Sequence, residues 1–337
     1  MPAELRPPLT VALARPAATI PAADSMTGGV MYEPKWDGFR MLLVVEGAVA
    51  LWSRQGTDLT PYFPEIVAAA ADQLPEGIVL DGEVVLWDED RLDFDGLLRR
   101  INTSPASARR MARTSPASFA AFDILTVAGQ DSRGLPLRDR RALLEELAME
   151  WMPPLNLSPM TTDRDVAVRW FEALRDTGIE GLVAKGAAHP YRGGRRSWIK
   201  VKQRETLDVI CGAVTGSRRH PVDAVIGLPF DGTLRIVGRT SPLSGVESTN
   251  LGSVLRAPEG AHPWPSQVKP GAMDRFNRGG RESVPLTLVE PMVIEISADV
   301  AMTGYSFRHA VRFRRPRPEI DPREVAPARR TGAGGRL

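Results

Sequence analysis

The chain has 337 residues, 43% apolar and 25% charged, with a net charge of +2. That length supports two domains with separate cores, and the composition excludes a disordered or fibrous chain. A single cysteine, Cys211, excludes an internal disulfide framework, and with four histidines it makes no zinc cage.

Residues 1–20 carry Glu4, Arg6, Arg15 and four prolines. They match neither a signal peptide nor a membrane span, so a cytoplasmic protein without a membrane partner is expected. This segment is expected to lie extended along a surface. Residues 31–40 place Lys35 directly ahead of a strand. The apolar run 39–45, a Glu46-Gly47 turn and the run 49–54 read as a β-hairpin. Centring the turn on residues 46 and 47 puts Arg54 opposite Phe39, near Asp37 and Arg40; a slip of one residue would change its face. A short Ala-rich helix is expected at 64–74, a strand at 77–87, a helix at 95–101 and a Ser/Pro/Arg loop at 103–118. A strand follows at 119–127. Leu143, Leu144, Leu147 and Trp151 mark a helix over 137–151, and a second spans 162–177, capped by Thr162 or Asp163 and stopped by Gly178. Strands at 181–185 and 198–202 flank a Gly/Arg-rich loop. This mixture predicts an α+β domain with no regular βαβ repeat.

Past residue 204 the texture changes. Runs 207–215, 224–230, 233–239, 286–297 and 310–314 read as short strands, with a Pro/Gly-rich stretch at 257–283. Five strands with little helix predict a small Greek-key barrel of the OB kind. Domains are therefore expected at 1–203 and 204–320, with a disordered tail at 321–337.

Only five of the 43 basic residues are lysines: Lys35, Lys185, Lys200, Lys202 and Lys269. A lysine kept against that background can do what arginine cannot, namely lose its proton and attack. Basic clusters at 109–113, 192–196 and Arg218–Arg219, with nine arginines against three acidic residues from 301 onward, suit a polyanion binder. Singly, each cluster is equally a solvated face.

Lys35-Trp36-Asp37-Gly38 alone is a weak signal. Five further elements follow it in order: Ser53-Arg54-Gln55-Gly56, Leu80-Asp81-Gly82-Glu83, Phe122-Asp123-Ile124-Leu125, Glu180-Gly181-Leu182-Val183-Ala184-Lys185 and Trp198-Ile199-Lys200-Val201-Lys202. Over residues 20–320 the chain closely resembles the covalent nucleotidyltransferases and, within them, the ATP-dependent DNA ligases. It looks most similar to the small bacterial type that resembles the ligase domain of end-joining polymerase-ligases. The resemblance implies an adenylation domain of antiparallel sheets with flanking helices, followed by a C-terminal OB-fold β-barrel.

It also implies a mechanism. Lys35 attacks the ATP α-phosphorus, expels pyrophosphate and forms a lysyl-AMP. The AMP then passes to the 5′-phosphate of a nick, and the 3′-hydroxyl displaces it. Each step concentrates negative charge at phosphorus, so Mg²⁺ (or Mn²⁺) is implied. Glu180, Glu83 and Asp37 are the implied metal carboxylates, with Glu83 alternatively on the ribose. Taken alone, Asp37 and Glu83 are equally turn chemistry beside Gly38 and Gly82. Phe122 is implied to stack on adenine, unless it is core, and Glu33 to read the adenine amino group. Arg40 and Arg54 are implied to bind phosphate of ATP or of the nick, with rim ion pairs as the alternative. Lys185 is implied to face phosphate or adenylate; Trp198 reads as a packed aromatic. A free lysine amine titrates near 10.4, so Lys200 and Lys202, on one strand face, are expected to lower that of Lys35 while holding the ATP phosphates.

The family's last motif, Arg-x-Asp-Lys, corresponds to Arg317-Pro318-Glu319-Ile320 here. Arg317 is thereby implied at the ATP phosphates; aspartate has become glutamate and the lysine is absent. Arg312, Arg314 or Arg315 could supply the missing cation, and self-adenylation is the step this departure affects. Nicked duplex DNA is the implied partner of a monomer, with Arg218 and Arg219 among its contacts and repair proteins as further partners. The loop 268–281 reads as a latch or as a solvated insertion. A repair role rests on small size and resemblance. An RNA ligase or capping-type guanylyltransferase, which shares Lys-x-Asp-Gly, and a non-catalytic DNA-end-binding module are the alternatives.

Overall fold

The computed structural model describes residues 9–174, 177–203, 205–269, 283–298, 302–303, 306–307 and 309–327. The chain divides into two compact units, Met1–Gln203 and Arg204–Leu337.

The first unit begins with β1 (Ala14–Ala17), β2 (Val30–Lys35), β3 (Phe39–Glu46) and β4 (Ala48–Ser53). Helix α1 (Pro64–Gln73), β5 (Ile78–Asp88), β6 (Arg91–Leu92), α2 (Phe94–Ile101) and α3 (Pro105–Thr114) follow. Then come β7 (Ala117–Val127), β8 (Gln130–Asp131), α4 (Leu137–Leu147), β9 (Leu155–Leu157), α5 (Arg164–Ala173), β10 (Gly181–Gly186) and β11 (Trp198–Lys202). One sheet runs β4-β3-β5-β7-β8, with β6 on β5 and β9 on β7; the other runs β1-β11-β10-β2.

Strand β3 shows why the two sheets stack. Its odd residues Met41, Leu43 and Val45 enter a core with Phe63 and Ile66 at α1, Leu97 of α2 and Leu144 of α4. Its even residues Leu42 and Val44 enter another core with Phe122, Leu125, Tyr191 and Trp198. A strand apolar on both faces, with period two, must be covered twice. The second sheet supplies one cover and is itself backed by Ala167, Trp170 and Phe171 of α5, packed on Tyr32, Leu182 and Val201. The site lies between the sheets.

Three expectations for this unit need correction. The 39–54 hairpin turns on one residue, Gly47 at φ 68°, so Glu46 faces Ala48 and Met41 faces Ser53. The register is thus one residue away from that of a two-residue turn, and Arg54 lies just past the end of β4. Residues 103–118 are largely helical: Ser104 caps α3 by accepting from the Ser107 amide, and Pro105 stands at the first helical position. Helix α5 is shorter than 162–177; Asp163 caps it, accepting from the amides of Asp165 (2.8 Å) and Val166 (3.3 Å).

The second unit comprises β12 (Glu205–Gly216), β13 (Pro221–Phe230), β14 (Thr233–Arg239), α6 (Gly245–Gly252), β15 (Gln267–Val268) and β16 (Val284–Pro285). The strands β17 (Thr287–Ala298), β18 (Met302–Thr303), β19 (Ser306–Phe307) and β20 (Arg312–Pro316) complete it. Five strands form an antiparallel sheet in the order β14-β13-β12-β17-β20. Register shifts in β12, β13 and β17 bend it. Its edges approach each other at a bridge between Thr240 and Val311, which curls the sheet around one apolar core. Helix α6, absent from the sequence reading, carries a capping box between Ser244 and Glu247. Residues 321–327, expected in a disordered tail, are ordered: Pro322–Glu324 forms a 3₁₀ turn and Val325 is buried in the core. Of the 268–281 loop, residues 270–281 lie outside the described residues, as do residues 328–337 of the expected tail. Among the described residues, no helix is long and apolar enough to cross a membrane.

Candidate active site

Register places the site residues. Strand β10 pairs with β2 so that Gly181 faces Lys35 and Val183 faces Glu33, and with β11 so that Gly181 faces Lys202 and Val183 faces Lys200. Directly opposed residues share a face. Glu33, Lys35, Lys185, Trp198, Lys200 and Lys202 therefore point into the cleft between the sheets, while Tyr32, Leu182 and Val201 point to α5. Opposite them, β3, β5 and β7 contribute Arg40, Glu83 and Phe122. All of these residues except Lys202, with Arg54, Trp36 and Arg196, line a cavity of about 390 Å³.

The turn between β2 and β3 has little freedom. A Cβ on Gly38 would sit 2.2 Å from the Val84 carbonyl oxygen, so Lys-x-Asp-Gly brings its turn against β5 closer than any side chain permits. That packing also brings Asp37 and Glu83 toward Lys35.

Lys35 donates to Glu180, and Lys202 Nζ lies 3.2 Å from the same carboxylate. Burial lowers the pKa of the Lys35 ammonium. Glu180, by charge and hydrogen bond, and then Glu83 and Asp37 outweigh it, and the net shift is upward. The expected depression of Lys35 by Lys200 and Lys202 is thus overturned for this state: Lys35 rests protonated, because the carboxylates around it win. The depressed amine is Lys200, lowered by burial and then by Lys35 and Lys202. Glu83 is pushed up to about 8, by burial first, against Lys35 and Arg40, with Asp37 and Glu180 adding to the rise.

The inner end of the cavity is aromatic and ionic. Phe122 and Trp198 meet edge to face with centroids 6.0 Å apart, and Lys185 Nζ lies 4.5 and 4.2 Å from the two rings. Phe122 is therefore both core and cavity wall. Lys185 is buried and donates to Glu33 at 2.8 Å, so the expected roles of Lys185 on phosphate and Glu33 on adenine meet a pair already satisfied within the protein.

Arg40 is also placed otherwise than expected. Its Nε donates to Asp81 Oδ1 at 2.9 Å and Nη1 to the Ala12 carbonyl at 2.6 Å, and its guanidinium stacks near Trp198. It organises the cleft wall and does not present a free fork to phosphate. Arg54 lines the main cavity and a second one of about 430 Å³ bounded by Gly38, Phe39, Gln55, Glu83 and Ile101. In the second unit, Arg218 and Arg219 are exposed at the turn between β12 and β13. Arg317, expected at the ATP phosphates, is held by carboxylates of its own unit: Asp208 at 3.3 Å, Glu295 at 3.2 Å and Glu319 at 2.5 Å.

Among the described residues no group of three or more His, Cys, Asp or Glu forms a ready metal cage. Glu180, Glu83 and Asp37 instead converge electrostatically on one ammonium, and burial, with Asp37 and Glu180 beside it, raises the Glu83 carboxyl. Hard oxygen donors short of a full shell suit Mg²⁺, which keeps waters and takes the rest of its shell from substrate phosphates.

Sequence reasoning missed Asp81 and Tyr191. Asp81 is fully buried and accepts from Arg40 and, at 2.6 Å, from the Tyr191 hydroxyl. The parity of Leu80-Asp81-Gly82-Glu83 was a readable signal, since Asp81 shares a face with Glu83.

These features define a class: a mixed α+β fold of nucleotidyltransferase type, with curled antiparallel sheets around a lysine-bearing cleft. A solved Lig E DNA ligase shares the fold, with a TM-score of 0.55 and 18% identity over 91% of this chain and 99% of that one. Residues 11–202 match the ATP dependent DNA ligase domain family, and the chain belongs to that family. DNA ligase C2 of Mycolicibacterium smegmatis is 35% identical over 94% of this chain and 92% of that protein. The multifunctional non-homologous end joining protein LigD of Mycobacterium bovis is 32% identical over 87% of this chain, which corresponds to 37% of that longer protein.

Proposed function

We propose that this ligase seals 5′-phosphate/3′-hydroxyl nicks in duplex DNA through a Lys35-AMP and a DNA-adenylate, in repair. The observation that carries the reading is Lys35 itself, a lysine at the lip of a nucleotide-sized cavity between an aromatic end and a ring of carboxylates. Adenine is assigned to the Phe122 and Trp198 end, and the phosphates to Lys200, Lys202 and Arg54. In the first step the Lys35 Nζ–phosphorus bond forms and the bond from the α-phosphorus to the bridging oxygen breaks, releasing pyrophosphate. The ammonium must first lose a proton, and Glu180, already its hydrogen-bond acceptor, is the acceptor at hand. Glu180, Glu83 and Asp37 would hold Mg²⁺, which when bound neutralises charge developing on the phosphate oxygens.

The curled second unit is assigned as an OB-type barrel, with the Arg218–Arg219 turn on DNA phosphates. Arg317 would have to exchange its carboxylate partners for phosphate to serve the first step. The relatives named for end joining favour repair as the setting.

Incubation with α-labelled ATP and Mg²⁺ tests the reading. A label that survives denaturation is expected on the wild type and absent from Lys35→Ala. The wild type is also expected to seal a nicked duplex. A label from GTP in place of ATP would move the protein to the capping enzymes. Neither label nor sealing would sink the ligase reading.

A further inference from the structure

Helix α3 presents a surface that the lysine chemistry does not use. Ala108 and Ala112 turn inward, so Ala106, Arg109, Arg110 and Arg113 form the outward stripe at i, i+3, i+4 and i+7. All four are exposed, and the helix contains no acidic residue. Arg110 donates to the Ser107 hydroxyl at 2.8 Å. Among the described residues no carboxylate pairs with Arg109, Arg110 or Arg113. Like charges at i, i+3 and i+4 oppose a helix, and only Arg113, in the last turn, is favoured by the helix dipole. Helix stability alone therefore does not account for the stripe.

Its position does. Helix α3 packs on α2 and on the Thr60–Tyr62 turn. Ile101, the last residue of α2, lines the second cavity, and that cavity shares Arg40, Arg54 and Glu83 with the Lys35 cleft. A continuous path thus leads from the nucleophile, through the second cavity, to the end of α2 and the helix packed beside it.

We propose that the arginine stripe of α3 binds the phosphate backbone of the duplex flanking the nick, whose broken strand reaches Lys35 by way of the second cavity. The assignment rests on the ligase reading and extends its DNA surface beyond the cleft. Arg109 and Arg113 are separated by about 6 Å along the helix axis, close to the rise of two nucleotides at about 3.4 Å each. Guanidinium forks match phosphate oxygens, and such contacts position a duplex without reading its sequence.

The test uses the full chain with Arg109, Arg110 and Arg113 all changed to Gln, and a second version with all three changed to Lys. Binding to a nicked 5′-phosphorylated duplex is titrated between 50 and 200 mM salt, and labelling by α-labelled ATP is measured without DNA. The Gln version should take the label normally but bind DNA more weakly, with a salt slope shallower by about 2.7, or 0.9 for each lost phosphate contact. The Lys version should regain most of the affinity and slope. Normal labelling with unchanged DNA affinity and slope in the Gln version would overturn the proposal; that is also the result expected if the stripe serves an acidic protein. If the Gln version loses the label as well, the Lys version decides: label with DNA binding restored supports the assignment, and label without it overturns it. A wild type that takes no label and seals nothing overturns the ligase reading itself, and the stripe assignment with it.

Discussion

Replacing Asp81 with asparagine would leave the half-buried Arg40 guanidinium without its counter-ion. Asp81 is fully buried and both of its oxygens are used, one by Arg40 Nε and the other by Arg40 Nη2 and the Tyr191 hydroxyl. Asparagine keeps the shape, but it removes the charge and turns one acceptor into a donor facing other donors. Breaking one side of a buried ion pair in this way costs about 3–5 kcal/mol, a large share of the 5–15 kcal/mol that holds a typical domain together. At roughly 2–4 °C per kcal/mol for a unit of this size, Asp81→Asn should lower the melting transition of the first unit by about 6–20 °C. Calorimetry that resolves the two units separately measures this. The double variant Asp81→Asn with Arg40→Met should lose less than Asp81→Asn alone, because no guanidinium is then stranded. A single variant within about 1 kcal/mol of wild type, or a double variant less stable than the single, would refute the account of Arg40 as a wall residue paired to a buried carboxylate.

Two further outcomes are expected. Glu83 titrates at about 8 in the fold against an ordinary value of 4.5, so between those values the folded chain binds more protons than the unfolded one. Stability from this group is fully present below 4.5 and is lost as pH rises toward 8. In metal-free protein, Glu83→Gln should therefore flatten the decline of the unfolding free energy from urea titration between pH 5 and 9, by a few kcal/mol at most; a decline equal to that of wild type would count against the carboxylate crowding described around Lys35. Gly38→Ala should cost more than about 2 kcal/mol in the same assay and abolish Lys35 labelling, since its Cβ would lie 2.2 Å from the Val84 carbonyl. A stable, fully labelled Gly38→Ala protein would show that β5 can give way there.

How much of this was legible depended on whether a local rule carried it. Strand parity alone put Lys200 and Lys202 on one face, and β11 keeps them there beside Lys35. The hairpin register was not legible, because Glu46-Gly47 suits a two-residue turn and a one-residue turn on Gly47 equally well until the strands are paired. Helix α3 was hidden by composition: Ser104-Pro105 is a proper cap and first turn, but alanines at 108 and 112 are too small to show an apolar period. Helix α6 buries little beyond Leu251, so only its Ser-x-x-Glu signature could have disclosed it. The protonation of Lys35 lay beyond local reasoning altogether. Glu180 reaches it from 145 residues away through the pairing of β10 with β2, and no spacing in the chain predicts which charge arrives first.

The parallel pairing of β1 with β11 bears on how the protein is made. Ala14 meets Trp198, about 180 residues later, and β11, the strand it pairs with, carries both Lys200 and Lys202. A ribosome adding 5–20 residues per second needs about 10–40 s to cover that interval. During synthesis, the opening strand waits unpaired for that long while the seven-stranded sheet, whose strands all precede residue 158, can already assemble. The cleft that holds Lys35 is thus closed last in its unit, by the strand that brings Lys200 and Lys202, and a nascent chain has no complete cleft until β11 has emerged.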